Sequence, residues 1–140
     1  LIRRARPDEI LACAELHARV APKTFHWLTV EDPVDQIVRA AADEEVYVAL
    51  EGETVIGFAS FYRPDNFLHS LFVDEDQQGQ GVGKRLIDHV AALADGPLSL
   101  KVQTRNTRAR ALYRREGFIE GELGIDETNG STWVLMRRPA

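Results

Sequence analysis

Residues 77–84 read QQGQGVGK, between the apolar run FLHSLFV at 67–73 and an amphipathic stretch that begins at Val82. Val82, Leu86, Val90 and Leu93 recur at helical spacing, and Gly96-Pro97 stops them. The chain must therefore leave a strand, turn tightly and enter a helix within a few residues. The first N–H groups of such a helix have no acceptor inside it, and its dipole favours an anion there by ~0.3–1 kcal/mol. Glycines at 79, 81 and 83 permit unusual φ values and place no Cβ between an amide and a ligand. A plain tight turn needs one glycine or two, so three alternating ones point to an anion site. It is not a dinucleotide fingerprint: the sixth position counted from Gly79 is Lys84, and from Gly81 it is Leu86. Nor is it a magnesium-nucleotide loop, because Gln78 stands where the first glycine should be and Arg85 where the Ser or Thr should be.

The period of the apolar residues organises the rest. Ile2–Ala5 reads as a short strand, and Pro7-Asp8-Glu9 opens a helix that Pro22 interrupts. Pro33 begins a second helix with Val34, Ile37, Val38 and Ala41 on one stripe. EVYVALEGETVIGFASFY at 45–62 is a hairpin turning at Glu51-Gly52-Glu53, and Phe67–Val73 continues the meander. A strand at Leu98–Val102, a helix capped by Asn106 or Thr107, and strands at Phe118–Leu123 and Thr132–Met136 complete the order βαα-βββ-αβ-αββ. No linker divides the chain, so residues 1–140 are expected to form one domain.

The 140 residues are 44% apolar and 28% charged, the profile of a folded soluble protein. No run approaches the ~18 apolar residues of a membrane span. LIRRARPDE lacks the apolar stretch of a secretory signal, and its opening Leu leads us to expect that a few residues precede it. Cys13 is the only cysteine, set in a helix-like run and read as a buried thiol. A reducing compartment and a cytoplasmic location follow as expectations. Net charge is −5, from 17 basic against 22 acidic residues, which argues against a nucleic-acid binder. Basic residues gather in 101–115, KVQTRNTRARALYRR, which suits a local anionic ligand. The histidines have no metal-ligand spacing, and no metal site is expected.

Gln78, Gly81 and Gly83, following LFVDED, resemble the acetyl-CoA pyrophosphate motif of the GCN5-related N-acetyltransferases (GNAT). A second landmark of that family runs from Asn106 through Arg110-Ala111-Leu112-Tyr113 to Gly117-Phe118. The element order is similar to the family's over essentially the whole chain. The resemblance implies an α/β (α+β) acyl-CoA N-acyltransferase fold. Its mixed, mostly antiparallel sheet has about seven strands and about four flanking helices, and is splayed between 67–73 and 98–102. It further implies that pantetheine enters the splay along Leu71, Phe72 and Val73. Gln78, Gly79, Gly81, Val82, Gly83 and Lys84 would hold the pyrophosphate, and Asn106 would contact the pantetheine arm. From the residues alone, Asn106 reads equally as a helix cap.

Acetyl transfer to an amine requires a base for the ammonium proton, an acid for the leaving thiolate and a donor for the charge on the acetyl oxygen. The open strand edge at Leu71–Val73 offers that donor. Tyr113 lies seven residues after Asn106, ~10 Å along the helix, where the family places its acid. As a core aromatic it would read the same. Strict alternation puts Phe67, His69, Leu71 and Val73 on one face of their strand unless a bulge intervenes. His69 is the candidate base, with a glutamate or a water chain as the alternative. His89 is read as solvated. Element order assigns Phe25, His26, Trp27, Phe61, Tyr62 and Glu127 to the acceptor side. Aromatic density there favours a small-molecule amine with an apolar or aromatic body, and a peptide or protein N-terminus stays open as the alternative. A homodimer is left open, and a non-catalytic acyl-CoA-binding module is the alternative to an enzyme.

Overall fold

The computed structural model describes residues 1–27 and 29–139. Strands are β1 (Ile2–Arg4), β2 (Glu45–Glu51), β3 (Thr54–Tyr62), β4 (Phe67–Val73), β5 (Leu98–Gln103), β6 (Ile119–Ile125) and β7 (Thr132–Arg138). Helices are α1 (Ile10–Thr24), α2 (Pro33–Ala40), α3 (Val82–Leu93) and α4 (Thr107–Arg115). One sheet holds the strands in the order β1-β2-β3-β4-β5-β7-β6. Every neighbouring pair is antiparallel except β4–β5, which is parallel. This is the mixed, mostly antiparallel fold that the sequence implied.

Two local expectations need correction. Pro22 does not end α1, which runs on to Thr24. A proline in the last turn forfeits one hydrogen bond, and the Thr24 hydroxyl donates back to the Val20 carbonyl at 3.0 Å, steadying that turn. Pro7–Glu9 form a separate 3-10 turn ahead of α1. His89 is not solvated either; its ring lies half-buried against Tyr47, 5.2 Å between centroids.

The sheet carries a core on each face. On one, Phe61, Leu68, Leu100, Val102 and Met136 meet Leu86, Ile87 and Val90 of α3 and Tyr113 of α4. On the other, Val46, Val48, Leu50 and Phe58 meet Cys13, Leu16 and Val20 of α1 and Ile37 of α2. Each large side chain buried this way contributes roughly 1.5–3 kcal/mol. The Cys13 thiol is fully buried, and that burial pushes its pKa up to about 12, as the reading of an unreactive thiol requires. His17 of α1 donates from Nδ1 to the Pro33 carbonyl at 2.7 Å, and burial holds its pKa below the ordinary value. The neutral ring thus ties α1 to the start of α2.

At the start of β2, Arg63 grips Glu45 with two hydrogen bonds of 2.6 and 2.8 Å, and the Tyr47 hydroxyl donates to it at 2.6 Å. The Arg63 contact chiefly draws the Glu45 pKa from 4.5 down to about 2. A depressed carboxylate adds stability that is complete above its unfolded value and is lost as pH falls through its folded value. Glu45→Gln is therefore expected to lower the urea midpoint at pH 6. The difference from the parent should shrink steadily below about pH 4.5, which parallel urea titrations from pH 6 to pH 3 will measure.

Candidate functional site

β4 and β5 share one bridge, Phe67 to Ser99, beside which the Ser99 N–H donates to the Asn66 carbonyl at 3.0 Å. β4 continues to Val73 and β5 to Gln103 with no further bridge between them among the described residues. Each stays fully paired on its other edge, β4 with β3 and β5 with β7. The sheet thus opens between them, and the inner edge at Leu71–Val73 presents backbone groups to the gap.

His69 sits just beyond that last bridge, and it is a bulge. Ser60 pairs with Ser70 and Phe61 with Leu68, leaving His69 unopposed. The extra residue overturns the simple alternation. Leu68, not His69, joins Leu71 and Val73 on the α3 face, while Phe72 packs toward α1. The His69 side chain is 54% exposed, and its Nδ1 lies 2.9 and 3.0 Å from the two carboxylate oxygens of Glu44. Glu44 is only 9% exposed. It precedes β2 with the parity of Val46 and Val48, hence on the α1–α2 face. Sequence reasoning missed Glu44. Its only signal is the pairing of β2 and β4 with a common neighbour, which no local pattern carries.

At the wide end of the gap, Gly79 and Gly81 have φ of 82° and 80°, and Gly81 is the N-cap of α3. A Cβ built at either would meet nothing within 4 Å, so the backbone here faces open space. Gly83 faces inward instead: a Cβ there would stand 3.4 Å from Leu112 and 3.9 Å from Val73, in ordinary contact with α4 and β4. Val82 is buried beneath the turn. Gln78 donates from Nε2 to the Val73 carbonyl at 3.1 Å, fastening the loop to the end of β4. The Lys84 ammonium is engaged by Asp88 at 2.9 Å and Glu116 at 3.3 Å, and its pKa is raised by them. Its side chain serves the α3–α4 contact. These open amides with no intervening Cβ fit a diphosphate.

Asn106 caps α4, its Oδ1 accepting from the Ala109 N–H at 3.2 Å. Tyr113 sits near the end of that helix with its ring edge-on to Phe118, 5.6 Å between centroids. Burial pushes its phenol well above the ordinary tyrosine value. Its hydroxyl makes no side-chain hydrogen bond among the described residues.

On the α1–α2 face an aromatic strap crosses the gap. Phe25 lies edge-on to Phe72 of β4 at 6.3 Å and to Trp27 at 5.9 Å, and Trp27 donates from Nε1 to Gln103 of β5 at 2.9 Å. His26 lies against Trp27 at 5.1 Å. Phe61 belongs to the fully buried core and is withdrawn from the acceptor side, since the β3 register points it toward α3. Tyr62 and Glu127 are exposed on the surface. A surface depression of about 520 Å³ lies behind α3 along Lys84, Asp88 and Arg138, away from the gap.

The acetyltransferase (GNAT) family model matches residues 10–118. The peptidyl-lysine N-acetyltransferase YjaB of Salmonella typhimurium is 39% identical over 49% of this chain, and the match spans about half of that relative, 47%. The N-alpha-acetyltransferase RimI of Mycobacterium tuberculosis is 34% identical over 76% of this chain and 70% of its own. Among solved structures, the PaiA N-acetyltransferase of Thermoplasma acidophilum in complex with coenzyme A superposes with a TM-score of 0.78. It covers 100% of this chain and 98% of its own at 17% identity. The chain belongs to the GNAT family.

The glycines separate in a stability measurement. Gly81→Ala forces a side chain to positive φ and is expected to cost about 1–2 kcal/mol through backbone strain alone. Gly83→Ala adds an ordinary contact inside a helix and is expected to be neutral or stabilising by up to about 1 kcal/mol. Chemical denaturation of both variants checks the contrast.

Proposed function

We propose that this chain moves acetyl from acetyl-CoA to the primary amine of a small molecule by direct attack in a ternary complex. The observation that carries the reading is the gap between β4 and β5, with a glycine helix tip at its wide end and a histidine–carboxylate pair at its closed end. The PaiA relative, of like fold, holds coenzyme A, which supports the choice of donor. Acetyl-CoA would bring an activated thioester. Every other task falls to the protein.

In this reading the amides from Gln78 to Lys84 bind the diphosphate, and the edge at Leu71, Phe72 and Val73 pairs with the pantetheine amides. A backbone N–H on that edge faces the acetyl oxygen as charge gathers there. Tyr113 stays protonated at neutral pH, because burial disfavours its phenolate, and so keeps a proton for the departing sulfur. His69 takes the proton of the amine on Nε2 while Glu44 holds Nδ1. Acid and base then work from opposite faces of the sheet. The Phe25–Trp27 strap narrows the acceptor side and favours a small amine. A peptide amine is the second reading, supported by the relatives described as peptidyl-lysine and N-alpha-acetyltransferases. An amine panel scored by thiol release, with peptides included, tests both. Coenzyme A binding without thiol release from any amine would favour a non-catalytic binding module.

Tyr113→Phe removes one hydroxyl and little volume. It is expected to lower kcat ~10–100-fold with calorimetric acetyl-CoA affinity close to the parent's. An undiminished kcat on a rate-limiting chemical step would leave Tyr113 as core packing only.

His69→Gln is expected to lower kcat/KM for the amine and to abolish the acidic limb of the pH–rate profile. Glu44→Gln is expected to lower kcat/KM less, with the limb kept, since a carbonyl oxygen still accepts from Nδ1. The reverse pattern, limb kept in His69→Gln and lost in Glu44→Gln, would make Glu44 the base through water.

A further inference from the structure

Beside the gap, at the end of β5, a cavity of about 250 Å³ is lined by Trp27, Arg105, Asn129, Gly130, Ser131 and Thr132. The Arg105 guanidinium lies over the Trp27 ring, 4.8 Å from its centroid. Trp27 is itself fixed by its hydrogen bond to Gln103 at 2.9 Å. Among the described residues Arg105 makes no ion pair, whereas Arg110 and Arg114, one and two turns along α4, both reach Glu120. On the opposite wall the Ser131 donors and the Gly130 N–H are used within the loop, and one side-chain amide is left to donate. Asn129 Oδ1 already accepts from the Ser131 N–H and hydroxyl, at 2.9 and 2.5 Å, which leaves its Nδ2 hydrogens free to donate. The Thr104 and Thr132 hydroxyls bond to each other. Among the described residues no carboxylate lines the cavity. Asp126, in the same connection, turns its Oδ1 to the Thr128 N–H.

From this geometry we propose that the acceptor amine also carries a carboxylate, and that Arg105 receives it in this cavity. The inference rests on the acetyl-transfer reading above and specifies its substrate class. A planar guanidinium offers a carboxylate two parallel hydrogen bonds, and stacking on a pinned indole holds it in place beforehand. A single guanidinium with the Asn129 amide on the facing wall matches a monoanion. Because the cavity adjoins the gap, one small molecule can place its carboxylate on Arg105 and its amine at the thioester. An amino acid or a comparable amino carboxylate is such a molecule, and a short peptide whose carboxylate lies close to its amine has the same chemistry.

The test has a binding arm and a turnover arm. In the first, N-acetylglycine, N-acetylphenylalanine and N-acetylglutamate are titrated into the coenzyme A complex beside their primary amides, using the parent, Arg105→Met and Arg105→Lys. The parent is expected to bind at least one acid ~10–100-fold more tightly than its amide, the scale of a charge-assisted hydrogen bond. Arg105→Met should collapse that preference to parity, and Arg105→Lys should retain part of it. In the second arm, thiol release is compared for amino acids, their decarboxylated amines and dipeptides, and the parent should prefer the carboxylate-bearing partner by a similar factor. Preference for dipeptides over free amino acids would assign the carboxylate to a peptide. Failure of every acid to outbind its amide, or a preference that survives Arg105→Met, overturns the proposal. Thiol release that is indifferent to the carboxylate leaves acetyl transfer standing without this receptor. An Arg105-dependent acid preference without thiol release from any amine removes acetyl transfer and leaves the receptor.

Discussion

β4 and β5 run side by side and parallel but are bridged at one residue pair among the described residues, Phe67 with Ser99, because each is committed elsewhere. β4 is laddered to β3 from Tyr62–Phe67 to Gly57–Val73, and β5 to β7 from Leu98–Arg138 to Gln103–Trp133. The two halves of the sheet follow their own twist, and the seam between them opens. An unpaired strand edge inside a protein is costly unless something covers or uses it. Here the chain arranges its chemistry around that edge. The turn after β4 delivers α3 with its N-terminus at the wide end, and the segment before β2 brings Glu44 to the closed end.

The bulge at His69 sits at the junction of paired and open backbone. Without it, Leu68 would leave the α3 core, where it is 3% exposed, and His69 would take its place among apolar side chains. Burying an imidazole there without a partner would cost roughly 1–3 kcal/mol on top of the lost Leu contacts. One extra residue avoids both penalties and sends the imidazole to Glu44. Glu44 in turn, with 9% of its side chain exposed, needs a donor. The pair thus satisfies Glu44 whatever chemistry it performs.

What the sequence disclosed divides along a physical line. The three glycines, the strand–turn–helix order and the cap at Asn106 are local, each depending on a few adjacent residues, and all were legible. Two of the glycines are where φ must be positive, and the third is where α3 meets Leu112 and Val73. Facing directions were less legible. Alternation assigned His69 to the wrong set because a bulge shifts the register against a partner strand and leaves no mark of its own. Element order alone put Phe61 among the acceptor aromatics, yet its orientation was decided by the same pairing. Glu44, Arg105 over Trp27, and the strap through Phe25 depend on residues 25 to 80 positions apart, and no window of sequence contains them.

How the phosphate-loop candidate keeps its shape can be judged from magnitudes. Two ion pairs join α1 to the turn ahead of it, Arg19 to Asp74 at 3.1 Å and Lys23 to Glu75 at 2.6 Å. Both cations are more than half exposed, so each pair is worth about 0–1 kcal/mol and weakens with salt. Burial of Val82 alone, at 2% exposure, exceeds that with roughly 1.5–3 kcal/mol. The hydrogen bonds from Gln78 to the Val73 carbonyl and from the Asp74 N–H to the Ile56 carbonyl add about 1 kcal/mol each and are insensitive to screening. The loop is therefore fixed from beneath, by β3, β4 and the buried end of α3. The ion pairs bias which way its outer surface leans toward α1. An anion arriving at Gly79–Gly83 thus meets a backbone already set in shape.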